Sequence, residues 1–182
     1  MLKFDSEKHI YYMEIPSVTQ IIRSVVLPNQ YDGVPQHILD KAAEWGTAIH
    51  DAIERDSSVM LDEEQTSIFN SYKKLVDEHH IKIIKKEQMV FYDGEIKYAG
   101  TYDCLADILG AKVLIDIKTT YKLDLDYLSY QLSFYAMAIP EKIDALYVLW
   151  LPKKGKAKFI KIDRVPDEIL KETLKRYKES IC

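Results

Sequence analysis

The stretch YAGTYDCLADILGAKVLIDIKTT, residues 98–120, decides the fold of this chain, because it predicts two or three short strands that carry charged residues among apolar ones. Successive side chains of a strand point to opposite faces. In VLIDIK, residues 113–118, alternate apolar residues therefore point one way, and Asp116 and Lys118 lie next to each other on the opposite face. The stretch thus predicts a strand that is apolar apart from one Asp–Lys pair.

A turn at Gly110 would return the chain so that the strand bearing Asp103 lies beside Asp116 and Lys118. Two carboxylates and a lysine at one edge of a sheet are typical of divalent-metal phosphodiester hydrolysis, because hard carboxylate oxygens bind magnesium or manganese. The alternative is an exposed ion pair, which stabilises a protein little. The apolar run of 113–117 indicates a sheet covered on both faces, where unpaired charges are costly. On this stretch alone both interpretations stay open.

Composition favours one globular domain over residues 1–182, because 47% of the 182 residues are hydrophobic and 30% are charged. We expect a cytoplasmic protein, since the sequence shows no membrane-spanning apolar run and no signal peptide. Two cysteines, Cys104 and Cys182, are too few for an iron–sulfur cluster, which usually needs four thiolates. The net charge of −4 means that any nucleic-acid binding needs a local basic surface or a metal at an acidic site.

The remaining pattern predicts helices and strands that form an α/β fold with a mixed central sheet flanked by α-helices. The predicted helices follow the N-cap Ser17, run over 36–56 and 62–79, begin at Asp124 or Asp126, and start again at Val165. The predicted strands are 9–14, 82–92, 145–151 and 159–162, with a hairpin turn at Asp93 and Gly94.

Two further residues are candidates for the chemistry predicted at Asp103 and Asp116. His50 follows Gly46 by one helical turn, so the glycine leaves room beside the histidine. Glu87 is predicted on the strand next to that of Asp103 and could reach a metal site. A surface histidine and a solvated edge glutamate are the ordinary alternatives.

A second group of candidates could contact DNA. Gln131 and Tyr135 lie one turn apart on a predicted helix, where they could contact a phosphate or base, or simply pack on the sheet. Lys153, Lys154 and Lys156 form a basic turn that either contacts a phosphate backbone or is solvated.

The ordered set of these motifs resembles the PD-(D/E)XK nuclease superfamily, and specifically its RecB-like exonuclease branch. The resemblance covers residues 45–135, and the PSVTQII segment, 16–22, is similar to phage and prophage members. The matching motifs are GTAIH (46–50), Glu87, GTYD (100–103), DIK (116–118) and QLSFY (131–135).

The resemblance implies a restriction-endonuclease-like core and a Mg²⁺- or Mn²⁺-dependent deoxyribonuclease, an exonuclease of replication, recombination or repair. It implies metal ligands from His50, Asp103, Asp116 and the main-chain carbonyl of Ile117, with Glu87 a direct ligand or an outer-sphere contact.

The same resemblance implies that Lys118 orients the attacking water or stabilises the transition state, while Gln131 and Tyr135 position the DNA strand or support the site. DNA is the expected partner, together with a recombination protein or helicase, because the sequence lacks a phosphate-binding G-x-x-x-x-G-K-[ST] loop. A catalytically inactive nucleic-acid-binding or assembly module with this fold is the alternative, and an unrelated metal-binding α/β domain is a third.

Overall fold

The computed structural model of the protein describes residues 3–5, 10–12, 15–28 and 33–181. The strands are β1 (Lys3–Asp5), β2 (Ile10–Tyr12), β3 (Lys82–Tyr92), β4 (Tyr98–Ile108), β5 (Ala111–Lys118), β6 (Ala145–Trp150) and β7 (Lys158–Ile162). The helices are α1 (Val18–Val25), α2 (Gln36–Arg55), α3 (Glu63–Glu78), α4 (Leu125–Ala138) and α5 (Asp167–Ser180). The predicted strand 9–14 corresponds to β2, and its residues 9, 13 and 14, like Cys182, lie outside the described residues.

Five strands form the central sheet, in the order β3-β4-β5-β6-β7. The β5–β6 pair is parallel and the other neighbouring pairs are antiparallel, so the sheet is mixed. Helix α4 makes the crossover from β5 to β6, as a parallel connection requires. The predicted α/β class with a mixed sheet flanked by helices is confirmed, and the architecture is consistent with a restriction-endonuclease-like core.

Both faces of the sheet are covered, as the apolar run in β5 predicted. On one face, Leu114 packs with residues of α1, α4 and α5, among them Ile22, Leu132 and Leu170. On the other face, Val113, Ile115 and Ile117 pack with residues of α2 and α3, including Ile49, Ile53, Ile68 and Tyr72. Alternation along β5 therefore assigns each charged residue of the strand to a known face.

Side-chain caps fix the helix starts near the sheet. Ser17 accepts a hydrogen bond from the Gln20 N–H, and the Gln20 side chain accepts one from the Ser17 N–H, which forms a capping box before α1. Asp124 accepts a hydrogen bond from the Tyr127 N–H and so caps α4, which decides between the two predicted capping aspartates.

The two hairpins that share β4 differ from each other. Leu109 and Gly110 join β4 to β5 with φ angles of 53° and 87°, the positive values that a tight two-residue hairpin turn requires. The predicted turn at Asp93 and Gly94 is wrong in extent, because the connection from β3 to β4 spans residues 93–97. Lys97 Nζ lies 2.6 Å from Asp93 Oδ1, so an ion pair closes this longer loop.

Helix α2 is buried only in its second half. Ile38, Ala42 and Ala43 are exposed, whereas Ile49, Ala52 and Ile53 lie in the core. The periodic apolar residues predicted the helix correctly but did not distinguish its buried turns from its exposed ones. Within the described segments, no helix is both long enough and apolar enough to cross a membrane.

Candidate active site

Strand β5 ends at an Asp–Lys pair that is largely removed from solvent. Asp116 is 3% exposed and Lys118 is 24% exposed. Lys118 Nζ donates a hydrogen bond to Asp116 Oδ1 at 2.9 Å and lies 2.7 Å from Oδ2, which accepts no hydrogen bond from the described residues. A buried carboxylate with one cationic partner is costly to desolvate, which distinguishes this pair from an ordinary surface ion pair.

Asp103 takes the place of a strand partner beside this pair. The register between β4 and β5 ends at the pairing of Cys104 with Ile115. Beyond it, Asp103 Oδ2 accepts a hydrogen bond from the Ile117 N–H at 2.6 Å. The carboxylate is therefore held against the backbone of the residue between Asp116 and Lys118.

His50 approaches the same point from α2. Its Nε2 lies 3.1 Å from the Ile117 carbonyl oxygen, and its Nδ1 lies 3.8 Å from both Glu87 Oε1 and Asp103 Oδ2. Gly46, one turn earlier, lies against Thr119, because a Cβ at position 46 would be 3.2 Å from Thr119 Oγ1. The glycine thus lets α2 come close to the residue that follows β5.

Glu87 reaches the cluster from β3 with an unusual backbone. Its φ is +46°, a region that residues other than glycine rarely adopt. Such conformations cost about 1–3 kcal/mol and persist where the surroundings impose them, often at functional sites. The neighbouring Lys86 anchors this part of β3 by donating a hydrogen bond from Nζ to the Ile53 carbonyl oxygen of α2 at 2.6 Å.

Three of these side chains could bind a metal ion together. One ligand atom each from His50, Glu87 and Asp103 lies within 4.8 Å of the others, the one such group among the described residues. Carboxylate oxygens with an imidazole and no thiolate suit hard or borderline divalent cations. The Ile117 carbonyl oxygen adjoins the group through His50, whereas Asp116 lies outside it and contacts Lys118.

The charges of the site influence one another strongly. Burial lowers the pKa of His50, but Asp103, Glu87 and Asp116 outweigh burial and raise that pKa to about 9. Burial raises the pKa of Asp116 although Lys118 opposes this shift. Burial lowers the pKa of Lys118, and the two aspartates outweigh it, so Lys118 stays charged. The carboxylates of the site thus stabilise the positively charged forms of His50 and Lys118.

Gln131 and Tyr135 lie behind Lys118 and are 8% and 4% exposed. Gln131 Oε1 accepts a hydrogen bond from Lys118 Nζ at 3.4 Å, and Gln131 Nε2 donates one to the Tyr135 hydroxyl at 3.2 Å. The Tyr135 ring lies over Gly100, where a Cβ would be 2.4 Å from Tyr135 Cε1. The first residue of the GTYD motif therefore provides space for the last residue of the QLSFY motif.

The basic turn lies at the same end of the sheet as Lys118. The Leu151 N–H donates to the Lys118 carbonyl oxygen at 2.7 Å, so the chain enters the turn from beside the site. Lys153 is held by other groups, since its Nζ lies 2.9 Å from Glu64 Oε2 and 4.0 Å from the centre of the Trp45 ring. Lys154 and Lys156 are exposed.

The sequence did not predict a cavity of about 580 Å³ that opens beside Lys118 at the start of α4. Lys122, Leu123, Leu125 and Tyr127 are among the residues that line it. Their only sequence signal is their position, directly after the strand that carries Asp116 and Lys118.

Comparison with known proteins finds likeness in structure and not in sequence. No family model matches the chain, and no curated protein matches it. The crystal structure of SSO0001 superposes with a TM-score of 0.57 at 16% identity, over 96% of this chain and 78% of the other. A Eubacterium rectale protein provisionally described as an exonuclease superposes with a TM-score of 0.52 at 15% identity, over 100% of this chain and 85% of the other. At these identities the likeness concerns the fold.

Proposed function

We propose that this protein is a divalent-metal-dependent DNA nuclease that acts as an exonuclease. The observation that carries the proposal is the convergence of His50, Glu87 and Asp103, whose ligand atoms lie within 4.8 Å of one another beside the end of β5 that bears Asp116 and Lys118. The shared fold with a protein provisionally described as an exonuclease supports the same function.

The donor set fits a magnesium or manganese ion. His50, Glu87 and Asp103 would hold the ion, while the Ile117 carbonyl oxygen lies against Nε2 on the other side of the His50 ring and orients it, and Asp116 holds Lys118. When bound, the ion polarises the scissile phosphate and lowers the pKa of a water molecule. Asp103 has a second role, since its hydrogen bond from the Ile117 N–H fixes the backbone on the N-terminal side of the residue whose carbonyl oxygen faces His50.

Lys118 supplies a fixed positive charge to the reaction. Asp116 holds its ammonium group from one side and Gln131 from another, so the group needs little reorganisation when charge develops on the phosphate. Tyr135 and Gln131 act as positioning residues for Lys118, since both are buried behind it. The exposed Lys154 and Lys156 contact the DNA backbone near the site.

The ordered motifs from GTAIH to QLSFY support membership of the RecB-like branch of the PD-(D/E)XK superfamily, with residues 1–182 acting as one nuclease domain. A role in DNA replication, recombination or repair, beside a helicase or recombination protein, follows from that assignment. A retained but inactive fold is the weaker proposal, because the acids and the lysine of the motifs are all present.

The test compares end-labelled linear DNA with covalently closed circular DNA in Mn²⁺, Mg²⁺ or EDTA. We expect loss of label from linear DNA with either ion, intact circles, and no reaction in EDTA. Asp103→Asn should abolish cleavage, whereas Asp107→Asn is the matched control on the same strand, where the side chain accepts a hydrogen bond from the Gly110 N–H of the turn. Metal-independent cleavage, or equal loss in both variants, would contradict the proposal.

A further inference from the structure

The pair of strands β3 and β4 is irregular at the level of Glu87 and Asp103. Residues two positions apart on a regular strand point to the same face of the sheet. Tyr102 nevertheless packs in the core with residues of α1, α4 and α5, whereas Cys104 packs in the core with residues of α2 and α3. The change of face therefore occurs at Asp103, in the strand next to Glu87 and its positive φ.

The half-buried side chain of Lys86 joins β3 to the end of α2. Its Nζ donates hydrogen bonds to the carbonyl oxygens of Ile53, at 2.6 Å, and of Glu54, at 3.4 Å. These carbonyls belong to the last turn of the helix, where such groups lack helical partners and a cation is favourable. Lys86 thus connects the helix that carries His50 to the residue directly before Glu87.

The side chain of Gln88 holds the backbone of β3 at the same place. Its Nε2 donates hydrogen bonds to the carbonyl oxygens of Lys86, at 2.9 Å, and of Glu87, at 3.4 Å. These two carbonyl groups lie on either side of the Glu87 Cα, so the amide bridges the residue that has the unusual φ. The bridge stabilises a conformation that a glutamate rarely adopts.

We propose that Lys86 and Gln88 are positioning residues of the candidate metal site. Lys86 fixes the distance between β3 and α2, and Gln88 keeps Glu87 in the conformation that brings its carboxylate to His50. The inference rests on the proposed nuclease function and identifies the residues that set the affinity of that site for Mn²⁺. Replacing a group that orients metal ligands typically lowers metal affinity or activity about 10–100-fold.

The direction of the change in affinity distinguishes positioning from a simple effect of charge. Removing a positive charge near a cation site should strengthen cation binding, because like charges repel each other. Loss of the hydrogen bonds of Lys86 should instead weaken binding, because β3 and α2 are then no longer held together beside Glu87 and His50. A weaker affinity after removal of this lysine is therefore specific to the positioning role.

The experiment measures Mn²⁺ binding by titration calorimetry in variants whose folding is checked by circular dichroism. Lys86→Met keeps the apolar stem and removes the donor, and it should bind Mn²⁺ about tenfold or more weakly than the wild type. Lys85→Met is the matched control, since Lys85 is the preceding residue, is 50% exposed and has its Nζ 3.9 Å from Glu141 Oε1. The control should bind Mn²⁺ like the wild type.

Lys86→Arg should recover part of the lost affinity, because arginine retains a charged donor that can reach the helix end. An affinity of Lys86→Met that equals or exceeds that of the wild type would overturn the role of Lys86.

Gln88→Met tests the backbone bridge without changing the charge of the protein. Gln88 is exposed, so the variant removes its two hydrogen bonds and leaves the core unchanged. We expect Mn²⁺ affinity to fall about tenfold. If Lys86→Met does not fold, Gln88→Met decides the question alone, and unchanged affinity would overturn the inference.

Failure of the nuclease proposal and failure of the positioning role give different results. A wild type that binds no Mn²⁺ would refute the metal site and this inference together. A wild type that binds Mn²⁺ with an affinity that Lys86→Met and Gln88→Met retain would refute only the positioning role.

Discussion

The two ends of β5 carry the same kinds of residue in opposite environments. At the beginning of the strand, Lys112 forms an ion pair with Glu141, and both side chains are more than a third exposed. At its end, Lys118 pairs with Asp116, which is 3% exposed. Lys112 and Lys118 lie an even number of positions apart, so both side chains are on the same face of the strand.

The comparison distinguishes an ion pair that its structural surroundings explain from one for which a role in the reaction is proposed. The Lys112 pair is accounted for by its surroundings, because Asp144 also accepts a hydrogen bond from the Lys112 N–H where β5 begins beside β6. The Lys118 pair is buried at a cost that two apolar residues would avoid. We propose that the nuclease reaction uses the charges of this pair, and the variants below test that role.

The largest expected effect is the loss of cleavage by Lys118→Ala, compared with Lys112→Ala as the control. Removing a donor that stabilises transition-state charge typically lowers the rate about a hundredfold or more. Lys118→Arg should also fail, because a planar guanidinium does not replace a fitted ammonium. Single-turnover degradation of labelled linear DNA measures this. Near wild-type cleavage by Lys118→Ala would remove this lysine from the mechanism.

The second expected effect concerns the free energy of unfolding. Replacing both members of the buried pair, as Asp116→Leu with Lys118→Met, should leave the protein as stable or stabilise it by about 1–4 kcal/mol while abolishing cleavage. The control, Lys112→Ala with Glu141→Ala, should retain cleavage. Urea unfolding of the metal-free variants followed by circular dichroism tests this. A strong destabilisation by the apolar pair would mean that the ion pair is needed by the fold.

A smaller effect is expected from Tyr135→Phe, with Tyr98→Phe as its control. Both tyrosines are buried and hydrogen-bonded, Tyr135 with Gln131 and Tyr98 with the Phe134 carbonyl oxygen. Each variant should lose about 1 kcal/mol of stability. Only Tyr135→Phe should also slow cleavage, several-fold up to roughly tenfold, because it loosens Gln131 behind Lys118. Equal rates for the two variants would limit Tyr135 to packing.

The smallest effect is expected from the basic turn. Replacing Lys154 and Lys156 with Gln should weaken DNA binding evenly across sequences, and the salt slope should fall by about one for each lysine that neutralises a phosphate. Lys171→Gln with Lys175→Gln on α5 is the charge-matched control. An unchanged slope in the first double variant would identify the turn as merely solvated.

Much of the fold was predictable because local rules decide it. The alternation in VLIDIK, the caps at Ser17 and Asp124, and the turn at Gly110 all rest on neighbouring residues, and the structure has each of them. The end of β5 was predictable for the same reason, since the strand's own periodicity places Asp116 beside Lys118.

The parts that sequence did not predict depend on distant neighbours. The sequence left open whether Gln131 and Tyr135 contact DNA or pack on the sheet; α4 lies between the sheet and two other helices, and both side chains are buried. The sequence around Glu87 is also typical of an exposed edge residue among lysines. Its position beside His50 depends on the positive φ of its backbone and on the approach of α2. No sequence motif marks the cavity beside Lys118, because the residues that line it belong partly to the loop after β5 and partly to the beginning of α4.

The close approach of Gly100 to Tyr135 has an evolutionary consequence. Because a Cβ at position 100 would lie 2.4 Å from the tyrosine ring, a side chain at position 100 requires the ring at position 135 to move or to be replaced. Among natural relatives of this chain, a larger residue at position 100 should occur together with a smaller one at position 135. The glycine of one motif and the aromatic residue of the other, 35 positions apart in the sequence, are therefore coupled by size.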